Sequence, residues 1–401
     1  MVQGAGRGKE SVGLASLKDQ YAIVGAGLTR FGKIFDKSPV GFTLEGIKLA
    51  VEDAGLSRDD IDGLLVAMPA MMGEEHAWAA RIGALLELPL TFSYTMDMGG
   101  ATPVAMVQTA ALAIAAGLCK TVVCAYGHSE NPQGAAFAIP NLEFTMPYGD
   151  IGATALQAHI ARRHMHDFGT RSEQFGQVAV AFRHNACLNP DAQMFSKGPI
   201  TLADHQQSRW VVEPLRLLDC CVQTCGGGAV LVTSAERAQD LKHTPILISG
   251  MGQSHSAEII EPWPGKTGHR GGIPAGRMCF EMAGMKPKDM DLIQIYDGFT
   301  ILVITSLENY GFCPIGEGGP FVEDGKLKVG GSLPCCTSGG LLSEGHLMGM
   351  GHVVEGVRQL RRQCGERQVK DAEVCFVTGY GGAPHTYPVV LCYSALILRR
   401  P

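Results

Sequence analysis

Residues 50–66, AVEDAGLSRDDIDGLLV, and residues 279–295, CFEMAGMKPKDMDLIQI, are two copies of one unit, 229 positions apart. Glu52, Ala54, Gly55, Asp60 and Asp62 fall on Glu281, Ala283, Gly284, Asp289 and Asp291. Each copy reads as an amphipathic helix stopped by glycine at C′, then a capped turn, then an apolar strand. The order of elements recurs downstream as well. Gly99-Gly100 opens a small-residue helix over 101–117 and a strand over Thr121–Tyr126, while Gly339-Gly340 precedes a helix near Gly349–Arg362 and a strand over Glu373–Val377. Two halves therefore share a plan of helix, strand, glycine-rich turn, helix, strand, and should superpose about a pseudo-twofold axis.

Alternating helices and apolar strands predict an α/β fold with mixed sheets covered by helices. Two copies predict two sheets packed around shared buried helices, with 101–117, apolar on all faces, at the centre. The expected organisation is a tail over 1–19, a first half over 20–250 and a second half over 251–401. Within the first half, residues 128–215 turn polar and aromatic, with His159, Arg162, Arg163, His164, His166, Arg183 and Arg209. That stretch reads as an inserted lid region, where substrate contacts usually collect.

Composition removes several classes. With 46% hydrophobic and 18% charged residues over 401 positions, the chain is globular rather than disordered. A net charge of −6 with scattered Lys and Arg offers no nucleic-acid surface. The longest apolar run, Ala101–Leu118, is broken by Thr102, Pro103, Gln108, Thr109 and Gly117, so no membrane span is expected. The first twenty residues lack an apolar core of a signal peptide, and the thirteen cysteines are odd in number and sit mostly in apolar runs; both point to a reducing cytoplasm. Cys220, Cys221 and Cys225 lack paired metal-ligand spacing, so no metal is expected. Gly25-Ala26-Gly27 begins like a dinucleotide fingerprint, but Arg30 stands where the third glycine belongs.

Three further motifs resemble those of the thiolase superfamily: SGGLLSEGHLMGMGH over 338–352, GYGGA over 379–383 and YDGFT over 296–300. The resemblance implies the thiolase fold, five layers αβαβα from two similar halves with an inserted loop domain, and a subunit that pairs through an edge strand, here expected at Thr121–Tyr126. Thiolases carry a nucleophilic cysteine in the turn before the buried helix, an Asn in the Asn-x-x-Phe motif and often a second cysteine in a C-terminal loop. Here those places hold Gly100, Tyr296 and the stretch Val377-Thr378-Gly379-Tyr380. His346 matches the thiolase histidine that hydrogen-bonds a thioester oxygen.

Lost cysteine, gained tyrosines and a retained Gly-His resemble the thiolase-like aldolases of the lipid-transfer-protein type, which shorten steroid side chains. That resemblance implies retro-aldol cleavage of a β-hydroxyacyl-CoA to a ketone and a short acyl-CoA, with CoA as part of the substrate and no separate cofactor. Cleaving the Cα–Cβ bond requires removal of the β-hydroxyl proton and support of an enolate, not a covalent intermediate. Tyr296 and Tyr380 are the expected acid/base pair, His346 an enolate donor, and the backbone N–H groups near Gly100 and Gly382 a hole for the enolate. The resemblance further implies a homodimer joined to a DUF35-type OB-fold partner as a heterotetramer. The competing readings are an acyl-CoA acyltransferase and a non-catalytic CoA-binding scaffold subunit.

Overall fold

The computed structural model describes residues 13–69, 76–129, 147, 149, 152–258, 270–383 and 389–401. The first half of the chain contributes β1 (Tyr21–Leu28), α1 (Pro39–Ala54), β2 (Gly63–Ala67), α2 (Trp78–Leu85), β3 (Phe92–Met96), α3 (Thr102–Ala115) and β4 (Thr121–His128). The inserted stretch follows as α4 (Gly152–Phe168), α5 (Ser172–Ala186), α6 (Leu202–Gln207), β5 (Trp210–Val212) and β6 (Leu215–Arg216). Then come β7 (Gly226–Ser234), α7 (Ala235–Ala238), β8 (Ile246–Glu258), α8 (Gly272–Ala283), β9 (Leu292–Gln294), α9 (Thr300–Asn309) and α10 (Gly318–Phe321). The chain closes with α11 (Gly340–Ser343), α12 (Met350–Leu360), β10 (Val374–Ala383) and β11 (Val389–Arg399).

The repeated units form as their residues dictate. Gly55 and Gly284 end α1 and α8 in the left-handed conformation, at φ 70° and φ 66°. Asp60 and Asp289 then cap the turn by accepting from the backbone of Ser57 and Lys286. Asp62 accepts from the N–H groups of Lys120 and Thr121, at the start of β4. Asp291 accepts from Glu373 and Val374, at the start of β10. In each half the aspartate ties the parallel strand pair, β2–β4 or β9–β10, at its entry.

The strand order is β3-β2-β4-β7-β1-β8-β11-β10-β9. Four strands of each half match: a parallel pair, then two antiparallel steps, β2-β4-β7-β1 and β9-β10-β11-β8, with β3 added beyond β2. Helix α1 covers one half-sheet from outside and α8 the other, while α3 and α12 lie between and touch strands of both. That is the five-layer arrangement. The expectation of two separate sheets is corrected: β1 and β8 pair at Ala22–Leu247 and Ile23–Ile246, which joins the half-sheets into one hydrogen-bonded sheet of nine strands.

Two more expectations change. Thr121–Tyr126 lies inside the sheet, between β2 and β7, and the edge strand on the side of the first half is β3. A strand apolar on both faces belongs at the centre. Helix α3 is buried through its first turns, but Leu112 near its end is 48% exposed. Gly25 and Gly27 prove to be packing glycines: a Cβ on Gly25 would lie 2.3 Å from the carbonyl oxygen of Ala50 in α1, and Gly250 stands equally close to Cys279 of α8.

Candidate active site

The site forms where the two glycine-rich turns meet the end of β10. A Cβ on Gly381 would lie 2.3 Å from the Met98 carbonyl oxygen and 2.4 Å from the Gly100 nitrogen, so the chain crosses itself there backbone to backbone. The stretch 379–383, expected as a loop, continues β10 in register with β11, pairing Tyr380 with Tyr393 and Gly382 with Leu391.

Tyr296 follows β9 and is held by its own N–H, which donates to Thr378 Oγ1 at 3.0 Å. Its ring fills the space beside Gly100. A Cβ built on Gly100 would fall 2.1 Å from Tyr296 Cε2 and 2.4 Å from the Tyr380 carbonyl oxygen. No side chain fits at position 100 while the Tyr296 ring and the Tyr380 carbonyl hold these places. Tyr296 Oη lies 3.1 Å from His346 Nε2. Burial pushes the Tyr296 phenol well above its ordinary value, and Cys221, Tyr126, Asp297 and Tyr380 add to the shift. It is therefore a proton-carrying hydroxyl, not a standing phenolate.

Tyr380 leans on Tyr296 with ring centroids 6.2 Å apart. Its hydroxyl accepts from Gln157 Nε2 of α4 at 3.0 Å. Gln157 was not singled out from sequence; the available signal was a glutamine inside the apolar stretch Ala153–Ala158 of an otherwise polar helix. Cys221 packs against the cluster of Tyr296, Leu302 and Leu341. From sequence it stands out only as a member of the Cys220, Cys221 and Cys225 cluster, with no role in the site.

A buried brace holds the loop that carries His346. Asp297 accepts from the N–H groups of Leu341 and Leu342 at 2.8 and 3.1 Å and pairs with His352 Nε2 at 2.9 Å. Burial alone would lower the His352 pKa, but the Asp297 hydrogen bond and charge, with the Glu344 charge, raise it. Glu344 accepts from Ser338 Oγ at 2.6 Å and from Asn189 Nδ2 at 3.2 Å. The His346 N–H donates to Thr224 Oγ1 at 2.8 Å. Asp297, Cys336 and His352 bring potential ligand atoms within 4.8 Å of one another. Both His352 and Cys336 are also turned to the Ile295 carbonyl, so the group works as a brace.

The chain is similar to known proteins along nearly its whole length. Residues 252–392 match the family model of the thiolase C-terminal domain-like proteins. A steroid side-chain-cleaving aldolase of Thermomonospora curvata is 38% identical over 389 residues, covering 92% of this chain and 97% of the relative. A 17-hydroxy-3-oxo-4-pregnene-20-carboxyl-CoA lyase of Mycobacterium tuberculosis is 39% identical over 387 residues, covering 92% and 98%. Among solved structures, the Ltp2-ChsH2(DUF35) aldolase superposes with a TM-score of 0.86 at 36% identity, over 96% of this chain and 98% of that one. The chain belongs to the thiolase superfamily. Within it, the protein is a thiolase-like aldolase, a carbon–carbon lyase.

Proposed function

We propose that this aldolase performs retro-aldol cleavage of a steroid side-chain β-hydroxyacyl-CoA, releasing a ketone and a short acyl-CoA. The observation that carries the reading is the Tyr296 ring standing where a residue-100 side chain would go, with its hydroxyl on His346. The site has a proton relay in the place of a nucleophile. The β-hydroxyl proton passes to Tyr296 Oη as the tyrosine's own proton moves to His346 Nε2. The Cα–Cβ bond then breaks, the β-carbon becomes the ketone, and the electron pair enters the thioester as an enolate. The proton returns from His346 through Tyr296 to Cα. This route keeps Tyr296 from ever standing as a free phenolate, which its burial disfavours. Tyr380, with the backbone at Gly100 and Gly382, holds the enolate oxygen. His346, expected from sequence as an enolate donor, is better used as the terminus of the relay.

The substrate class rests on what the two relatives are named for. Incubation with the CoA thioester of a 17-hydroxy steroid side chain, with and without a DUF35-type partner, tests it; absence of ketone and short acyl-CoA under both conditions sinks the reading. The solved aldolase structure supports such a partner. We further infer a homodimer that extends the sheet through β3, whose Tyr94 is 61% exposed; a monomer in light scattering at micromolar concentration would count against it. All thirteen cysteines are free, which supports a cytoplasmic setting. The expected boundary between the halves at 250/251 falls inside β8, a strand that pairs with β11 of the second half-sheet from Leu247 to Glu258.

A further inference from the structure

Gln157 lies in a turn of α4 that is buried all round, 155–158, and is 2% exposed. The two ends of its carboxamide are in different states. Nε2 donates to Tyr380 Oη at 3.0 Å. Oε1 is buried and has no hydrogen-bond partner among the described residues. A buried carbonyl without a partner bears its full desolvation penalty, so folded proteins keep few of them and each asks for an account. This one is within a carboxamide's width of the Tyr380 hydroxyl, on a ring packed against Tyr296. The open acceptor is at the reaction site.

An acceptor is completed by a donor. On the retro-aldol reading, on which this inference rests, the thioester oxygen is itself an acceptor and pairs with Tyr380. The β-hydroxyl gives its proton to Tyr296. The nearest remaining donor on an acyl-CoA is the first amide N–H of the pantetheine arm, which lies four bonds from the thioester carbonyl carbon. We propose that Gln157 is an acyl-CoA recognition residue, which orients Tyr380 through Nε2 and takes the pantetheine amide N–H on Oε1. Donation from Nε2 polarises the phenol and makes its O–H a stronger donor to the enolate. Through this one side chain the inserted segment couples the arm of the substrate to the tyrosine of the second half.

The test removes the amide from the substrate and the carboxamide from the protein. A β-hydroxyacyl thioester of N-acetylcysteamine carries the arm's N–H; the S-ethyl thioester of the same acid does not. Wild-type enzyme should favour the former in kcat/KM by about tenfold, and Gln157→Leu should bring that preference below about twofold. An undiminished preference in the variant overturns the Oε1 assignment. In a Tyr380→Phe background, Gln157→Leu should cost no further kcat; a full additive loss overturns the Nε2 assignment. Gln157→Met, closer in length, repeats both arms if the leucine variant fails to fold. The same thioester pair made from the saturated acid, which cannot be cleaved, is titrated calorimetrically. A preference in binding that depends on Gln157 without any cleavage of the hydroxylated pair would leave Gln157 standing and remove the retro-aldol reading. Cleavage with a preference indifferent to Gln157 would do the reverse.

Discussion

The two halves of the molecule agree until their glycine pairs and then part. In the first, Gly99-Gly100 runs directly into the buried helix α3. In the second, Gly339-Gly340 opens the short helix α11, and the chain makes an excursion through Glu344 and His346 before α12 begins at Met350. The offset of the repeat also puts Tyr296 opposite Ala67, a buried alanine at the end of β2. What the halves share is the folding machinery: the left-handed helix stops, the aspartate ties, the packing glycines. What they do not share is the chemistry. Duplication supplied a frame, and the site grew where one copy departed from the other.

The largest effect that could break this contrast is at Tyr296. Tyr296→Phe should lower kcat by about 10²–10⁴, the usual worth of acid–base catalysis, with acyl-CoA binding nearly intact. Its counterpart Ala67 should tolerate serine with little change in kcat. Equal losses at the two positions, read by steady-state kinetics, would show that the asymmetry is not functional.

Gly100 sharpens the comparison from the other side. A methyl group there meets the Tyr296 ring at 2.1 Å, so Gly100→Ala must push the ring off His346. We expect kcat to fall by about 10²-fold, with a lowered melting temperature. Adding Tyr296→Ala should restore the melting temperature only in part, because the Tyr380 carbonyl oxygen still lies 2.4 Å from that methyl group, and should not restore the activity. Gly100→Cys should give no thiolase, since the new thiol would collide with the tyrosine. A Gly100→Ala enzyme with wild-type kcat would refute the steric coupling.

Much of the frame could be read before any coordinates, because glycine stops and aspartate ties are local and recur. The edge strand was misplaced because Thr121–Tyr126 is apolar on both faces, which marks burial, whereas β3 alternates and bares Tyr94. The tyrosines and His346 came from family resemblance, and no spacing rule points to them. Gln157, and the place of Cys221 beside the site, escape a sequence reading because their contacts are more than seventy residues away along the chain, at Tyr380 and at the Tyr296 cluster respectively. The single sheet escaped notice because two residue pairs make the join.

The excursion in the second half should also concentrate the pH response. Glu344 is pushed up to about 7 from its ordinary 4.5, first by burial and then by the charge of Glu355. The folded state therefore keeps a proton that the unfolded chain has already released between those values. The stabilisation is complete below about pH 4.5 and is lost as pH rises through about 7, amounting to about 3 kcal/mol. Glu344→Gln holds the group neutral and should flatten that part of the curve. Urea unfolding at pH 5 and pH 8 measures it, and identical pH slopes for wild type and variant would remove Glu344 as the cause.

The smallest expected effect tests the shared frame itself. Asp62 meets the Lys120 and Thr121 N–H groups at 2.8 Å, and Asp291 meets those of Glu373 and Val374 at 2.9 Å. Each carboxylate therefore satisfies two donors at the mouth of a parallel strand pair, with similar geometry on opposite sides of the pseudo-twofold. Removing either by Asp→Ala leaves those donors to water, at about 1–3 kcal/mol of stability and without effect on kcat. If the duplication is functionally neutral at this level, the two losses agree to within about 0.5 kcal/mol, and the double variant loses their sum, since distant sites add. A loss confined to Asp291 would mean that the second tie also serves the site, through the strand that carries Tyr380. That outcome would move the boundary between frame and chemistry one layer deeper into the repeat.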